Sequence, residues 1–233
     1  MSAAETDASD AEAEPITRLQ RRKMRTRGAL IRAAQGFIAR GALNVPVLEI
    51  TQAADVGMGS FYNHFNSKEE LFEAAVDDVL DGYGALLDAY AADIADPAEA
   101  FATNFRLGGR LFRRRPQEGQ LILNRGSSVI LSDRGIAPRA LRDIVAAIDA
   151  GRFTISDPEL ALSLAGGALF GLGTLLREQP DRDDAAATDH IAEGVLRAFG
   201  MTAKQARALC QRPLPDLSAI ESGGLGHGGG SPQ

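Results

Sequence analysis

Ser60, Tyr62, Asn63, His64 and Lys68 bring two hydroxyls, a carboxamide, an imidazole and an ammonium group into nine residues. Each can donate a hydrogen bond to a phosphate oxygen, and the carboxamide of Asn63 can also pair with the edge of an adenine. Upstream, Arg18, Arg21, Arg22, Lys23, Arg25 and Arg27 form a basic run. A charge run is commonly a solvated helix face. Directly before this cluster, phosphate or minor-groove contact is favoured, with Arg22, Arg25 and Arg27 as candidates. The charge distribution agrees. The 233 residues carry a formal net charge of −6, yet residues 15–72 hold nine Lys or Arg against four Asp or Glu, and residues 1–14 hold five acidic groups and no basic one. Positive charge is concentrated where a nucleic-acid contact needs it.

Short helices must position these groups. Val47, Ile50 and Ala54 recur at helical spacing, and Asp55-Val56-Gly57 then supplies a tight turn, because Asp and Gly both tolerate the left-handed conformation. A second helix is expected from about Met58. In it Phe61 and Phe65, at i and i+4, belong to the core, which leaves Ser60, Tyr62 and Asn63 pointing elsewhere. Gly59 has no side chain and permits close backbone approach. Ser67 with Glu70 predicts a capping box at the head of the next helix. Before this unit, Leu30, Ile31, Ala34, Phe37 and Ile38 form one helical stripe that ends at Gly41 and should pack on Ile50, Phe61 and Phe65. Helix, turn and helix on a third helix is a plan whose second helix can enter a major groove.

Ile50, Ala54, Val56, Gly59, Phe61-Tyr62, His64-Phe65 and Ser67-Lys68-Glu69-Glu70-Leu71, at these spacings, resemble the DNA-binding domain of the TetR family of bacterial transcriptional regulators. The resemblance runs from about Arg18 to Phe72. Three positions depart from it: Thr51 where Ala is usual, Asp55 where the turn Gly is usual, and Gly57 where Ser or Thr commonly caps the recognition helix. It implies a homodimer that binds a pseudo-palindromic operator in double-stranded DNA and answers to a small-molecule effector. It also implies phosphate contacts for Tyr62, His64 and Lys68. His64 stays open to a second reading as a packed or capping imidazole.

The rest of the chain reads as all-α. No segment alternates with β-branched residues as a strand would, and helices are expected over Lys68 to Asp93, from Pro97 to the Arg113-Arg114-Arg115-Pro116 stop, Gln117 to Leu131, Pro138 to Ala150, Pro158 to Arg177 and Ala185 to Phe199. Residues 1–14 are expected to be a disordered acidic tail, 15–66 the DNA-binding domain, 67–211 the ligand-binding and dimerisation domain, and 212–233 a disordered Gly- and Pro-rich tail. Phe101, Phe105, Phe112, Leu121 and Asn124 are candidates for an effector pocket, although ordinary core is the commoner role for each Phe. Arg110 and Arg113 to Arg115 suit either an anionic ligand or a solvated helix C-terminus. The helix from Pro158 is apolar on every side, so its outer face needs a partner. Leu164, Gly167, Phe170, Gly171 and Leu175, with Ile191, Val195 and Phe199 on the following helix, are the expected dimer contacts.

Other classes find little support. A Gly-rich phosphate loop, G-x-S-x-G and H-E-x-x-H are absent, so an enzyme, or a helical ligand-binding protein whose DNA unit has decayed, is the weaker alternative. His64, His190 and His227 are too far apart in sequence to suggest a metal site, and no cofactor is expected. The single Cys210 excludes an intrachain disulfide and suits the cytoplasm. No secretion leader is evident, and Leu160 to Leu176 reads as a buried helix rather than a membrane span.

Overall fold

The computed structural model describes residues 17–215. The expected acidic tail lies wholly outside them, and the Gly- and Pro-rich tail mostly so. The described chain is helical: α1 (Arg18–Ala39), α2 (Val47–Ala53), α3 (Met58–Tyr62), α4 (Lys68–Ala91), α5 (Pro97–Arg114), α6 (Pro116–Arg125), a 3-10 turn (Gly126–Val129), α7 (Ile136–Asp149), α8 (Pro158–Glu178), α9 (Asp184–Ala198) and α10 (Ala203–Cys210). No strand occurs among the described residues.

Two apolar cores organise these helices. The first joins Leu30, Ile31 and Ala34 of α1 to Ile50, Phe61, Phe65 and Leu71, and continues through Val79 of α4 to Leu111 and Leu121. The second gathers Phe101, Ile144, Phe153, Ala165, Leu196 and Phe199 from α5, α7, α8 and α9 and the loop after α7. Apolar side chains at three- and four-residue spacing make each contribution one helix face. α4 begins just past the boundary expected at residue 66, yet its first turns belong to the core around α1 while its later turns lie against α5 and α7.

The helix-turn-helix forms as the spacing predicts, with two local differences. α3 is shorter than expected and ends at Tyr62, with Phe65 held beyond it by its amide bonding the Phe61 carbonyl at 3.0 Å. The Ser67 cap is half a capping box. Ser67 Oγ accepts the Glu70 amide at 3.1 Å, but the Glu70 carboxylate accepts from the Asn66 backbone and side chain at 2.8 and 2.9 Å instead of from Ser67.

Elsewhere, the helix expected from Gln117 to Leu131 is broken at Gly126, whose φ of 78° the interior of an α-helix does not accommodate. α10 was not expected. Its start is a complete capping box of Thr202 and Gln205, and its end is pinned by the buried Arg106, whose guanidinium donates to the Arg212 carbonyl at 2.9 Å and to Asp189 at 2.8 Å.

Asp55 is the one non-glycine among the described residues with positive φ, at 54°. It closes α2 by directing the Val56 amide to the Thr51 carbonyl at 3.0 Å. Left-handed backbone costs β-branched residues most, so Asp55→Val should lose about 1–2 kcal/mol of stability while Asp55→Gly loses nothing measurable. Urea unfolding followed by circular dichroism checks both; an unaffected Asp55→Val would show that the turn is not left-handed.

Candidate nucleic-acid interface and ligand cavity

Phe61 and Phe65 are fully buried, with ring centroids 6.1 Å apart, and they fix the orientation of everything around them. Tyr62, between them in sequence, is turned outward and is 61% exposed, and its ring meets Phe61 edge-on at 5.1 Å. Met58, Gly59 and Asn63 are exposed beside it, while Ser60, His64 and Lys68 are half-buried. A Cβ added to Gly59 would meet nothing within 4 Å, so space for a close neighbour is open there. α1 runs alongside. Its Arg27 guanidinium lies 5.2 Å from the Phe65 ring centroid, and Lys68 lies 5.9 Å from that of Phe72. Arg22, Arg25 and Arg27 are exposed, and no carboxylate pairs with any of the three among the described residues.

Burial, then the charges of Lys23 and Arg27, lower the His64 pKa from its ordinary value. The imidazole is therefore neutral in the free protein at pH 7, and the positive charge beside α3 comes from the basic residues of α1 and from Lys68.

The second candidate site is a cavity of about 110 Å³ between α4, α5, α7 and α8. Phe101, Phe105 and Phe112 line it. Phe101 and Phe105 also stack into the second core, where Phe101 lies 5.4 Å from Phe199 and 5.7 Å from Phe153. Two glycines of α8 make room for the lining: a Cβ on Gly166 would come within 2.5 Å of Ile130, and one on Gly173 within 2.6 Å of Phe112. Leu121 and Asn124 do not reach the cavity. Leu121 is buried in the first core, and Asn124 donates to the Ile38 carbonyl of α1 at 3.2 Å, because α6 turns that side toward the DNA-binding helices.

Residues that periodicity did not flag form the polar part of the lining: Tyr83, Asn104, Arg139 and Asp143. Asn104 was detectable as a lone amide between Phe101 and Phe105; Tyr83 looked like any member of an apolar stripe. Arg139 donates to Asp88 at 2.7 Å and to the Gly135 carbonyl at 2.6 Å. Burial alone would raise the Asp88 pKa, but hydrogen bonds from Arg139 and Arg142 outweigh it and hold the carboxyl below its ordinary value. Arg110, Arg113 and Arg115 are absent from the lining and have protein partners instead: Asp189, the Gln179 and Arg182 carbonyls, and Glu118. An anionic ligand held by them is not supported.

The apolar α8 has two faces. Ala161, Ala165, Leu172 and Leu176 are buried, whereas Leu160, Leu164, Gly167, Gly171 and Leu175 form an exposed stripe, Leu164 being 46% exposed. Phe170 points to the cavity rather than outward. Val195 and Phe199 of α9 are buried inside the chain, and the surface stripe of that helix passes through the half-buried Ile191 and the exposed Gly194. By length and composition α8 could cross a membrane, with a third of its apolar window buried (33%). Among the described residues no group of three or more His, Cys, Asp or Glu could hold a metal ion.

Residues 30–75 match the model of bacterial regulatory proteins of the tetR family, and residues 96–212 match the tetracyclin repressor-like C-terminal domain. The chain is 27% identical over 149 residues to the HTH-type transcriptional repressor DhaR of Mycobacterium sp. (strain GP1), covering 50% of this chain and 74% of that one. It is 34% identical over 109 residues to the HTH-type transcriptional regulator TcmR of Streptomyces glaucescens, covering 46% and 48%. Among solved structures, RolR in complex with resorcinol superposes with a TM-score of 0.68 at 34% identity, covering 85% of this chain and 99% of RolR. The chain belongs to the TetR family. It is a ligand-responsive, DNA-binding transcriptional regulator with an all-helical fold.

The lowered His64 pKa carries a sign. If DNA phosphate sits beside the imidazole, its pKa rises in the complex, so protonation accompanies binding. Operator affinity should then increase by about threefold to tenfold as pH falls from 7.5 to 6.0 at constant salt, and His64→Gln should flatten that dependence. Fluorescence anisotropy at both pH values measures it; an equal dependence in the variant would assign His64 to packing.

Proposed function

We propose that the protein represses transcription as a homodimer on a pseudo-palindromic operator, and that a small molecule in the α4–α5–α7–α8 cavity releases it. The carrying observation is the outward Tyr62 and Asn63 on α3, set beside the unpaired basic residues of α1 and anchored by the buried Phe61 and Phe65. Met58, Gly59, Ser60 and Asn63 face the bases, while Tyr62, His64, Lys68 and the arginines Arg22, Arg25 and Arg27 meet phosphates. The partner subunit covers the stripe of Leu164, Gly167, Gly171 and Leu175, where added Cβ atoms on both glycines would find open space. Dimerisation supplies the second recognition helix. The functional division follows the expected 15–66 and 67–211 segments, with α4 as the shared element. The protein acts in the cytoplasm, regulates rather than catalyses, and requires no cofactor.

The cavity suits an effector with a single ring. Its 110 Å³ is close to the volume of about 150 Å³ at which an apolar protein cavity binds benzene. The ligand in the RolR structure, resorcinol, is of that size. Occupancy acts only through the difference in ligand affinity between the DNA-competent and released arrangements.

Two measurements test this reading. Titrated against its own upstream DNA at several salt concentrations, the protein should bind saturably; Lys68→Ala should lower the salt slope by about one for each phosphate that the lysine neutralises, and Tyr62→Phe should weaken binding without unfolding the domain. In sedimentation the protein should be a dimer at micromolar concentration. Leu164→Glu should yield monomers whose operator affinity is lower by on the order of a hundredfold or more, since the two half-sites are no longer bound as a linked pair. A wild-type monomer that binds operator fully would overturn the assembly.

A further inference from the structure

We infer that Met58 reads the C5-methyl group of thymine, so that each operator half-site carries a T·A pair at one fixed position beneath the start of α3. This rests on the reading of α3 as the recognition helix. Met58 opens α3 and is 40% exposed, a large apolar side chain left bare on a surface otherwise made of polar and basic groups. It takes no part in the first core, which α3 joins through Phe61. At about 100° per residue, Met58 and Tyr62 share the outward face with Gly59 and Asn63 beside them, while Ser60 and Phe61 turn away. The exposure follows that pattern: Met58, Gly59, Tyr62 and Asn63 are exposed, Ser60 is half-buried and Phe61 is buried.

Glycines on both sides isolate this side chain. A Cβ added to Gly57 or to Gly59 would meet nothing within 4 Å, so Met58 projects between two positions that carry no side chain and have open space beside them. A base edge can therefore come up to the thioether without meeting a neighbour first. In a helix-turn-helix the leading residues of the second helix are the ones that reach base edges.

The chemistry present selects the base. From Gly57 to Asn63 the chain holds no Arg or Lys to pair with guanine and no Asp or Glu to accept from cytosine. The methionine stem offers dispersion contact and, in its sulfur, only a weak acceptor. Thymine is the base whose major-groove edge carries an apolar group, its C5-methyl. A cytosine in its place brings an amino donor and no methyl, and an apolar side chain over it would desolvate that donor without pairing it. Apolar contact with the methyl is the direct readout left to Met58.

Selection of duplexes from a random-sequence library by the full-length protein, followed by fluorescence anisotropy on the selected operator, tests the inference. Each half-site should hold a T·A pair at which deoxyuridine, which lacks only the methyl, weakens binding by about fourfold, and by about tenfold or more when both half-sites are changed. At the same position 5-methylcytosine·guanine should bind more tightly than cytosine·guanine by a similar factor of about fourfold, because the methyl returns. Met58→Ala should bind the thymine and deoxyuridine duplexes equally, whereas Met58→Leu should keep most of the preference; a side chain that only supported the fold would change both affinities together. If no thymine of the operator responds to loss of its methyl, or if Met58→Ala keeps the response, the assignment of Met58 fails while operator binding stands. If no duplex is selected at all, the reading of α3 as the recognition helix fails together with the inference.

Discussion

The rest of the structure depends on the fact that one uninterrupted helix belongs to both halves of the protein. α4 is 24 residues long, about 36 Å at helical rise, and it contributes Leu71 and Ala75 to the core around α1 and α3 and Tyr83 and Leu87 to the cavity wall. A helix is stiff along its axis, so neither end can be displaced without moving the other. The attachments are specific. Gln35 of α1 donates to the Ala75 carbonyl at 3.2 Å and to Asp78 at 3.0 Å. On the cavity side, Asp77 pairs with Arg134, Asp81 accepts the Gly135 amide, and Asp88 pairs with Arg139 and Arg142. A row of α4 carboxylates thus holds the start of α7. Asn124 adds a second tie by bonding α6 to the C-terminal turn of α1. These ties, and no flexible linker, join the cavity wall to the DNA-binding helices.

The same ties explain the placement of charge. Part of the acidic charge of the chain is answered by arginines within the helical body, as in the Asp88, Arg139, Arg142 and Asp143 chain. The basic residues of α1 are left open to solvent. An overall negative protein therefore still presents a local positive surface, and the salt screening that governs phosphate contact acts on that surface alone.

How much of this could be read from the sequence depended on whether the information was local. Phe61 and Phe65 at i and i+4, with Asp55-Val56-Gly57 before them, determine the helix-turn-helix because turn chemistry and helix period act over a few residues. Asp55 adopts the left-handed conformation that its place in the turn requires. The cavity was less legible. Leu121 and Asn124 have the same composition and spacing as lining residues, but the rotation of α6 turns them toward the first core and α1. Tyr83 and Asn104 join the lining only through the packing of α4 and α5 against α7 and α8, which no periodicity encodes. Val195 and Phe199 show the same limit at the dimer face: a helical stripe says that a side is buried, not which neighbour buries it. Gly126 and the Thr202 and Gln205 cap were local signals, and both decide where a helix stops or starts.

α8 places its two duties on adjacent residues. Phe170 lines the cavity and Gly171, the next residue, belongs to the stripe assigned to the partner subunit. A substitution on this helix that reshapes the cavity acts on the same backbone that carries the proposed subunit contact. On the proposed assembly, descendants that acquire a new inducer should therefore change on α4 and α7, away from the exposed α8 stripe, and keep α8 nearly as it is. The evolutionary freedom of the sensor is set less by the size of its cavity than by which of its walls is shared.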